Sequence, residues 1–223
     1  MNHQPLRSPC LKDRPARRQS EGVLVELRRC THAAHVRINQ HPFLTGLTKP
    51  AYPLDRYMRL LATYFHLYTA IESQIDAFLA HTELSFAYGE RRKLAWLVND
   101  LKHFGIDPGS PDWRSLPPIS LAPLANSGEL IGVLYVIEGA TLGGQVISSH
   151  LRKSLALTAD AGARFFNGYG DSEETQRRWQ EFVQFADSIG AEPHQQRCAG
   201  TAAQAVFDLI EGKLNECHAR HPR

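Results

Sequence analysis

The sequence predicts an all-α protein, a single domain of about seven or eight helices packed around one core. Two observations carry this prediction. Apolar residues recur at steps of three and four through most segments between the proline and glycine breaks, which is helical spacing. No stretch shows the strict alternation of apolar and polar residues that marks a half-buried strand. The length of 223 residues suits one sizeable core.

Composition narrows the class of protein. Hydrophobic residues make up 43% and charged residues 22%, ordinary values for a globular protein. No run approaches the roughly 20 consecutive apolar residues of a membrane span, and the N-terminus lacks the pattern of a secretory signal. The four cysteines are scattered without a Cys-x-x-Cys pair, which excludes a zinc ribbon. We therefore expect a cytoplasmic protein that does not enter a membrane.

Basic charge is concentrated at the N-terminus. Residues 1–20 carry five basic side chains against one acidic side chain, together with three prolines and few apolar residues. We expect this basic tail to be disordered. The formal net charge is +2 for the whole chain and +4 for this tail, so the remaining residues carry −2. That charge is too weak for a surface that binds nucleic acid. A helical domain is expected over residues 21–218.

The first helix is expected to start near Ser20, whose hydroxyl can cap it. Its apolar residues recur at steps of four, three, four and four, at Val23, Leu27, Cys30, Ala34 and Ile38. Pro42 closes the helix, since proline cannot continue it. Residues 43–53 are interpreted as a connecting stretch.

Longer periodic segments follow. Residues 54–81 form the longest of them, an amphipathic helix with one broad apolar face. Another helix is expected over 89–104, before glycines and prolines break the chain. Residues 129–157 are again helical and unusually apolar. Two further helices are expected near 172–189 and 195–218.

The apolar helix over 129–157 contains glycines that a purely structural helix would not usually carry. Each costs about 1 kcal/mol relative to alanine, and Gly139, Gly143 and Gly144 fall within six residues. Gly139 and Gly143 are four apart and share one face. That face can let a flat ligand approach the backbone, or it can serve close helix–helix packing or a kink. Spacing alone leaves these alternatives open.

His35 is the second feature that points to chemistry. It follows Thr31 by four residues and Arg28 by seven, at the margin of the apolar stripe of the first helix. A neutral imidazole in that position can ligate iron. It can equally be a partly buried or surface histidine, since the chain has 11 of them. No serine–histidine–aspartate set, His-Glu-x-x-His motif or di-iron pattern competes.

Four ordered motifs together resemble the haem oxygenase family, over roughly residues 22–215. They are Leu27-Arg28-x-x-Thr31-x-x-x-His35, Tyr64-Phe65-His66-Leu67-Tyr68-Thr69-Ala70-Ile71-Glu72, Glu138-Gly139-Ala140-Thr141-Leu142-Gly143-Gly144, and Phe165-Phe166 with Arg178-Trp179 and Phe207. The third motif is similar to the distal helix of bacterial members, especially those encoded beside bacteriophytochromes. Four motifs in order are more specific than any one alone.

The resemblance implies a haem oxygenase-like fold that holds haem between a proximal and a distal helix. His35 would be the proximal iron ligand, and the backbone at Gly139, Gly143 and Gly144 would face the haem. The Tyr68 phenol would anchor catalytic water, or else simply pack between helices. Haem would be both cofactor and substrate, opened with O₂ and electrons to biliverdin, CO and ferrous iron. A ferredoxin or an NAD(P)H reductase would supply the electrons, and a bacteriophytochrome would accept the biliverdin.

The resemblance also implies basic partners for the anionic haem propionates. Arg28 and His32 on the proximal helix, with Arg178 or its neighbour Arg177, are the candidates, although each can be an ordinary solvated charge. Phe207 is expected to line the pocket, or else simply to pack in the core.

Two positions depart from the pattern of animal members. Ala140 stands where they have an aspartate, and Asn39 stands where they have a glutamate near the imidazole. The loss of the aspartate keeps a second hypothesis open, a protein that binds and transfers haem without degrading it. A helical scaffold that binds no haem is disfavoured by the presence of both His35 and the paired glycines.

Overall fold

A computed structural model describes residues 22–108 and 119–220. These ranges contain eight α-helices: α1 (Val23–Asn39), α2 (Pro42–Thr45), α3 (Leu54–Ala80), α4 (Leu94–His103), α5 (Ser127–Leu155), α6 (Arg164–Asn167), α7 (Ser172–Ile189) and α8 (Pro193–Arg220). Within the same ranges there is no β-strand, only isolated bridges at Thr158. The predicted all-α fold is confirmed. The expected disordered tail over 1–20 lies outside the described residues.

The start of the molecule differs from the sequence expectation at two points. Gly22, not Ser20, occupies the position before the first turn of α1, and it supplies no side-chain cap. Ser20 itself lies outside the described residues. The stretch after Pro42 is not a plain connection, because Pro42 opens α2 and a 3-10 turn follows over Gly46–Thr48. The fixed φ of proline suits the first position of a helix, and the His41 ring accepts a hydrogen bond from the Phe43 N–H at 3.2 Å.

The prediction of a helix over 89–104 places its start too early. Tyr88–Arg91 forms a 3-10 turn, and α4 begins only at Leu94. The buried carboxylate of Glu72 on α3 accepts hydrogen bonds from the N–H groups of Lys93 and Leu94 at 2.6 and 3.1 Å. Glu72 therefore performs the capping role at the start of α4, from a different helix.

α5 is the central helix of the core and packs against α6, α7 and α8. It is long and apolar enough to cross a membrane, but 56% of its most apolar window is buried inside the protein. That burial identifies it as a core helix.

α8 is the common support of two other helices, since its most extensive contacts are with α5 and α1. A Cβ added at Gly132 of α5 would collide with the backbone of Ala199 and Ala203 on α8. Both alanines are fully buried. Gly132 is therefore a close-packing glycine, and α5 lies nearly backbone to backbone on α8.

Candidate active site

A cavity of about 570 Å³ lies between α1 and α5. α1 contributes Arg28, His35, Ile38 and Asn39, and α5 contributes Tyr135, Val136, Gly139, Ala140, Thr141, Leu142, Gly143, Gly144 and Ile147. Most of the remaining lining is aromatic: Tyr64, Tyr68, Phe165, Phe166, Trp179 and Phe207. This is the size and apolar character of a site for a small organic ligand.

His35 lies on the α1 side of this cavity. Its partners on the same face are Arg28, seven residues earlier, and Asn39, four residues later. The side-chain nitrogen of Asn39 lies 3.3 Å from Nδ1 and 3.4 Å from Nε2 of His35. The ring of Phe207 from α8 meets the imidazole edge to face, with ring centroids 6.1 Å apart. The imidazole is therefore held by contacts from two helices and still reaches the cavity.

The glycines of α5 divide into two kinds. A Cβ on Gly143 would meet nothing within 4 Å, and one on Gly139 would meet only Trp179, at an ordinary 3.8 Å. A Cβ on Gly144 would lie 2.7 Å from the carbonyl oxygen of Phe166, so Gly144 lets α6 approach α5. Packing thus accounts for Gly144, while Gly139 and Gly143 expose bare backbone to the cavity.

Two tyrosines of α3 complete the wall near α5. Tyr64 and Tyr68 are both nearly fully buried, and each packs against the ring of Phe165 with centroids 5.2 Å apart. Burial raises the pKa of Tyr68 well above its ordinary value. Its hydroxyl therefore keeps its proton at neutral pH and is a hydrogen-bond donor.

A buried ionic cluster that the sequence analysis missed lies behind this wall. Glu138 of α5 pairs with Arg91 at 2.9 Å and with Lys93, and it accepts a hydrogen bond from the Tyr169 hydroxyl at 2.8 Å. Glu138 is 1% exposed, and Lys93 also lines the cavity. The sequence contains one signal of this cluster. Glu138 is a carboxylate in an otherwise apolar segment, and a buried charge requires a partner.

The expected basic residues are not brought together. Arg28 lines the cavity, but His32 is exposed on α1 and outside the lining. Arg177 and Arg178 also lie outside it, and both are engaged by carboxylates. Arg177 pairs with Glu174 and Glu181, and Arg178 pairs with Glu174 at 2.8 Å.

Asp100 of α4 holds the short helix α6 in place, and α6 contributes Phe165 and Phe166 to the cavity lining. Its buried carboxylate accepts hydrogen bonds from the N–H groups of Arg164 and Phe165 at 2.7 and 2.8 Å. Both donors are in the first turn of α6, where N–H groups have no partner within the helix. Burial raises the pKa of Asp100 to about 6, while these two hydrogen bonds oppose the shift.

We expect the Asp100→Asn variant to have a flatter dependence of stability on pH. Because the pKa of Asp100 is raised from 3.8 to about 6, the folded protein binds this proton more tightly than the unfolded chain does. The resulting stabilisation is present below about pH 4 and is lost as the pH rises through about 6. Relative to the variant, the parent should lose up to about 3 kcal/mol of unfolding free energy over that range. Urea unfolding at a series of pH values tests this, and a constant difference between the two proteins would contradict it.

The sequence is similar to proteins of one known family. The family model described as Heme oxygenase matches residues 21–215. A haem oxygenase of Xanthomonas campestris pv. campestris is 33% identical over 99 residues, which are 44% of this chain and 54% of that protein. The chain spans about half the length of the curated relatives it matches, 54% in each case.

Two solved structures share the fold. The haem oxygenase of Leptospira interrogans is similar with a TM-score of 0.73 at 20% identity, covering 88% of this chain and 100% of that one. Haem oxygenase-1 of the cyanobacterium Synechocystis, solved in complex with haem, has a TM-score of 0.69 at 19% identity and covers 90% and 94%. At these identities the structures establish the fold alone. Since the family model spans nearly the whole described helical domain, the chain belongs to the haem oxygenase family.

Proposed function

We propose that this protein is a haem oxygenase that binds haem in the cavity between α1 and α5 and opens it to biliverdin, CO and ferrous iron. The observation that carries the proposal is the placement of His35 and of the bare backbone at Gly139 and Gly143 in the walls of one cavity. Bound haem supplies the iron at which O₂ is activated and is itself the ring that is opened.

The lining fits a flat, largely apolar ligand. Aromatic rings from α3, α6, α7 and α8 surround the cavity, and the glycine face of α5 leaves room where side chains would project. Among the described lining residues there is no carboxylate, and His35 is the one imidazole. A single imidazole is a ligand that haem iron commonly takes on its proximal side.

On the proximal side, His35 would bind the iron while its neighbours fix the ring. The edge of Phe207 limits rotation of the imidazole. The side-chain nitrogen of Asn39 lies 3.3 Å from Nδ1. An imidazole that binds iron through Nε2 carries its proton on Nδ1, so Asn39 would orient the ring by accepting that proton through its amide oxygen, in the flipped form of the amide and without adding a negative charge. An amide gives the imidazole less basicity than a carboxylate does, so we assign Asn39 mainly an orienting role.

On the α5 side, backbone and water would do the work that an acidic side chain could do. Ala140 presents a methyl group to the cavity, and Gly139 and Gly143 present none. The Tyr68 hydroxyl has no protein hydrogen-bond partner in the described part of the chain and is free to hold a water molecule. Small bound molecules are then confined sterically, and protons arrive through water.

Arg28 is our candidate partner for the carboxylates of haem. It lines the cavity, is exposed, and makes no ion pair within residues 22–108 and 119–220. Arg177 and Arg178 would first have to give up their carboxylate partners. We therefore rank Arg28 above both for propionate binding.

The test mixes the purified full-length chain with haemin and then adds ascorbate, or a ferredoxin with its reductase, in air. We expect a Soret band on binding, followed by its decay and the appearance of biliverdin absorbance. A Soret band that persists under reducing conditions would indicate the second candidate, a haem-transfer protein. The absence of any Soret shift would overturn both.

We further propose a cytoplasmic protein that takes electrons from a ferredoxin or an NAD(P)H reductase and passes biliverdin to a bacteriophytochrome. The support is the likeness of Glu138-Gly139-Ala140-Thr141-Leu142-Gly143-Gly144 to bacterial members of the family. Turnover in the presence of an apo-bacteriophytochrome tests the last point, because assembly would appear as a red-shifted bilin absorption.

A further inference from the structure

Lys93 is a buried cation in the wall of the cavity. Its side chain is 1% exposed, and it belongs to the turn that joins the 3-10 segment to α4. It is the one lysine among the described lining residues, and Arg28 on the α1 side is the one arginine. An ammonium is rarely buried unless it is paired, so its position calls for an explanation.

The Lys93 ammonium is fixed on the side of the cavity formed by α5. Its Nζ donates to Glu138, the residue that precedes Gly139, and to the Tyr169 hydroxyl at 3.0 Å. Burial lowers the pKa of Lys93, and the adjacent Glu138 carboxylate opposes this shift. Arg91 shares Glu138 and also binds Glu181, so the cluster is anchored to α7 as well.

In the described part of the chain, the Lys93 ammonium has fewer hydrogen-bond acceptors than donors. An ammonium has three N–H bonds, and within residues 22–108 and 119–220 two of them have acceptors, on Glu138 and Tyr169. The cavity wall beside it offers no carboxylate, and position 140 is an alanine. A donor in apolar surroundings interacts strongly with any anion or water molecule that comes within reach.

We infer that Lys93 provides the positive charge on the α5 side of the cavity and donates a hydrogen bond to an anion or a water molecule bound there. The inference rests on the proposed haem site. Lys93 would contact the bound anion or water directly, and Glu138 and Tyr169 are the positioning residues that set the direction of its ammonium.

Azide, a small anion that binds ferric haem, is the probe. The haem-loaded full-length chain is titrated with azide and followed by absorbance, as the parent, as Lys93→Met and as Lys102→Met. Methionine keeps the length of the side chain without its charge, and Lys102 is an exposed lysine of α4 outside the cavity. We expect azide to bind Lys93→Met about tenfold more weakly, the effect of losing one charge-assisted hydrogen bond, and to bind Lys102→Met as it binds the parent.

A second variant guards against a structural effect. Lys93→Met leaves Glu138 with one cation fewer, which by itself destabilises the core. The double variant Lys93→Met/Glu138→Gln removes that carboxylate charge, and we expect it to show the same weakened azide binding. Azide affinity that is weakened in Lys93→Met but returns to the parent value in the double variant would show that Lys93 only neutralises Glu138. Equal affinity in the parent and in both Lys93 variants would show that the ammonium does not contact the bound anion. Either result would overturn the inference. If the parent itself gives no His35-dependent haem spectrum, the proposed function fails instead.

Discussion

Replacing His35 by alanine is expected to remove the native Soret spectrum and to stop haem turnover almost completely. In the proposed site His35 is the one imidazole among the described lining residues, so its loss leaves the iron without a protein nitrogen on the α1 side. Mutating a residue that only supports a metal ligand typically lowers metal affinity or activity about 10- to 100-fold. Loss of the ligand itself should therefore lower turnover by at least about 100-fold. Haemin titration and single-turnover biliverdin formation measure the two effects.

The matched control is His32→Ala. His32 is one turn earlier on α1, exposed and outside the cavity lining, so this variant should keep the parent spectrum. The fold should tolerate both changes, since neither side chain belongs to the buried core. An unchanged spectrum in His35→Ala would show that another histidine ligates the iron, with His32 the first to examine.

Replacing Gly143 by leucine is expected to stabilise the haem-free protein while weakening haem binding. The added Cβ meets nothing within 4 Å. Replacing a glycine inside a helix raises the free energy of unfolding by up to about 1 kcal/mol. The same side chain projects into the cavity, where a misfit costs about 1–3 kcal/mol, or roughly 5- to 150-fold in affinity. Thermal unfolding without haem and haemin titration should therefore change in opposite directions.

Gly212→Leu provides the comparison. Gly212 lies inside α8, a Cβ there also meets nothing within 4 Å, and it does not line the cavity. We expect a similar gain in stability with unchanged haem affinity. Parent-like haem binding in Gly143→Leu would mean that the open space beside Gly143 is not where haem lies.

The sequence predicted the long helices because each has a continuous apolar face. It placed the start of α4 too early, because the cap at Lys93 comes from Glu72, 21 residues away on another helix. The short helix α2 contains four residues, too few for any periodicity to show.

At the candidate site, local spacing predicted which residues of α1 and α5 share a face. It could not show that Glu138 and Lys93, 45 residues apart, form a pair, because only the packing of α4 against its neighbours brings them together. The pairing of Arg177 with Glu174 and Glu181 was visible in principle, since these residues are three and four positions apart on one helix.

Because α8 packs against both α1 and α5, the width of the cavity between them can change without any change in the residues that line it. Ala199 and Ala203 are not among the residues that line the cavity, but they set how closely α5 lies on α8 at Gly132. A larger side chain at either alanine would push α5 outward and change the gap to α1 without altering a lining residue. The size of ligand that the proposed site accepts can therefore be changed at Ala199 and Ala203, on the side of α5 that faces α8, while every lining side chain stays as it is.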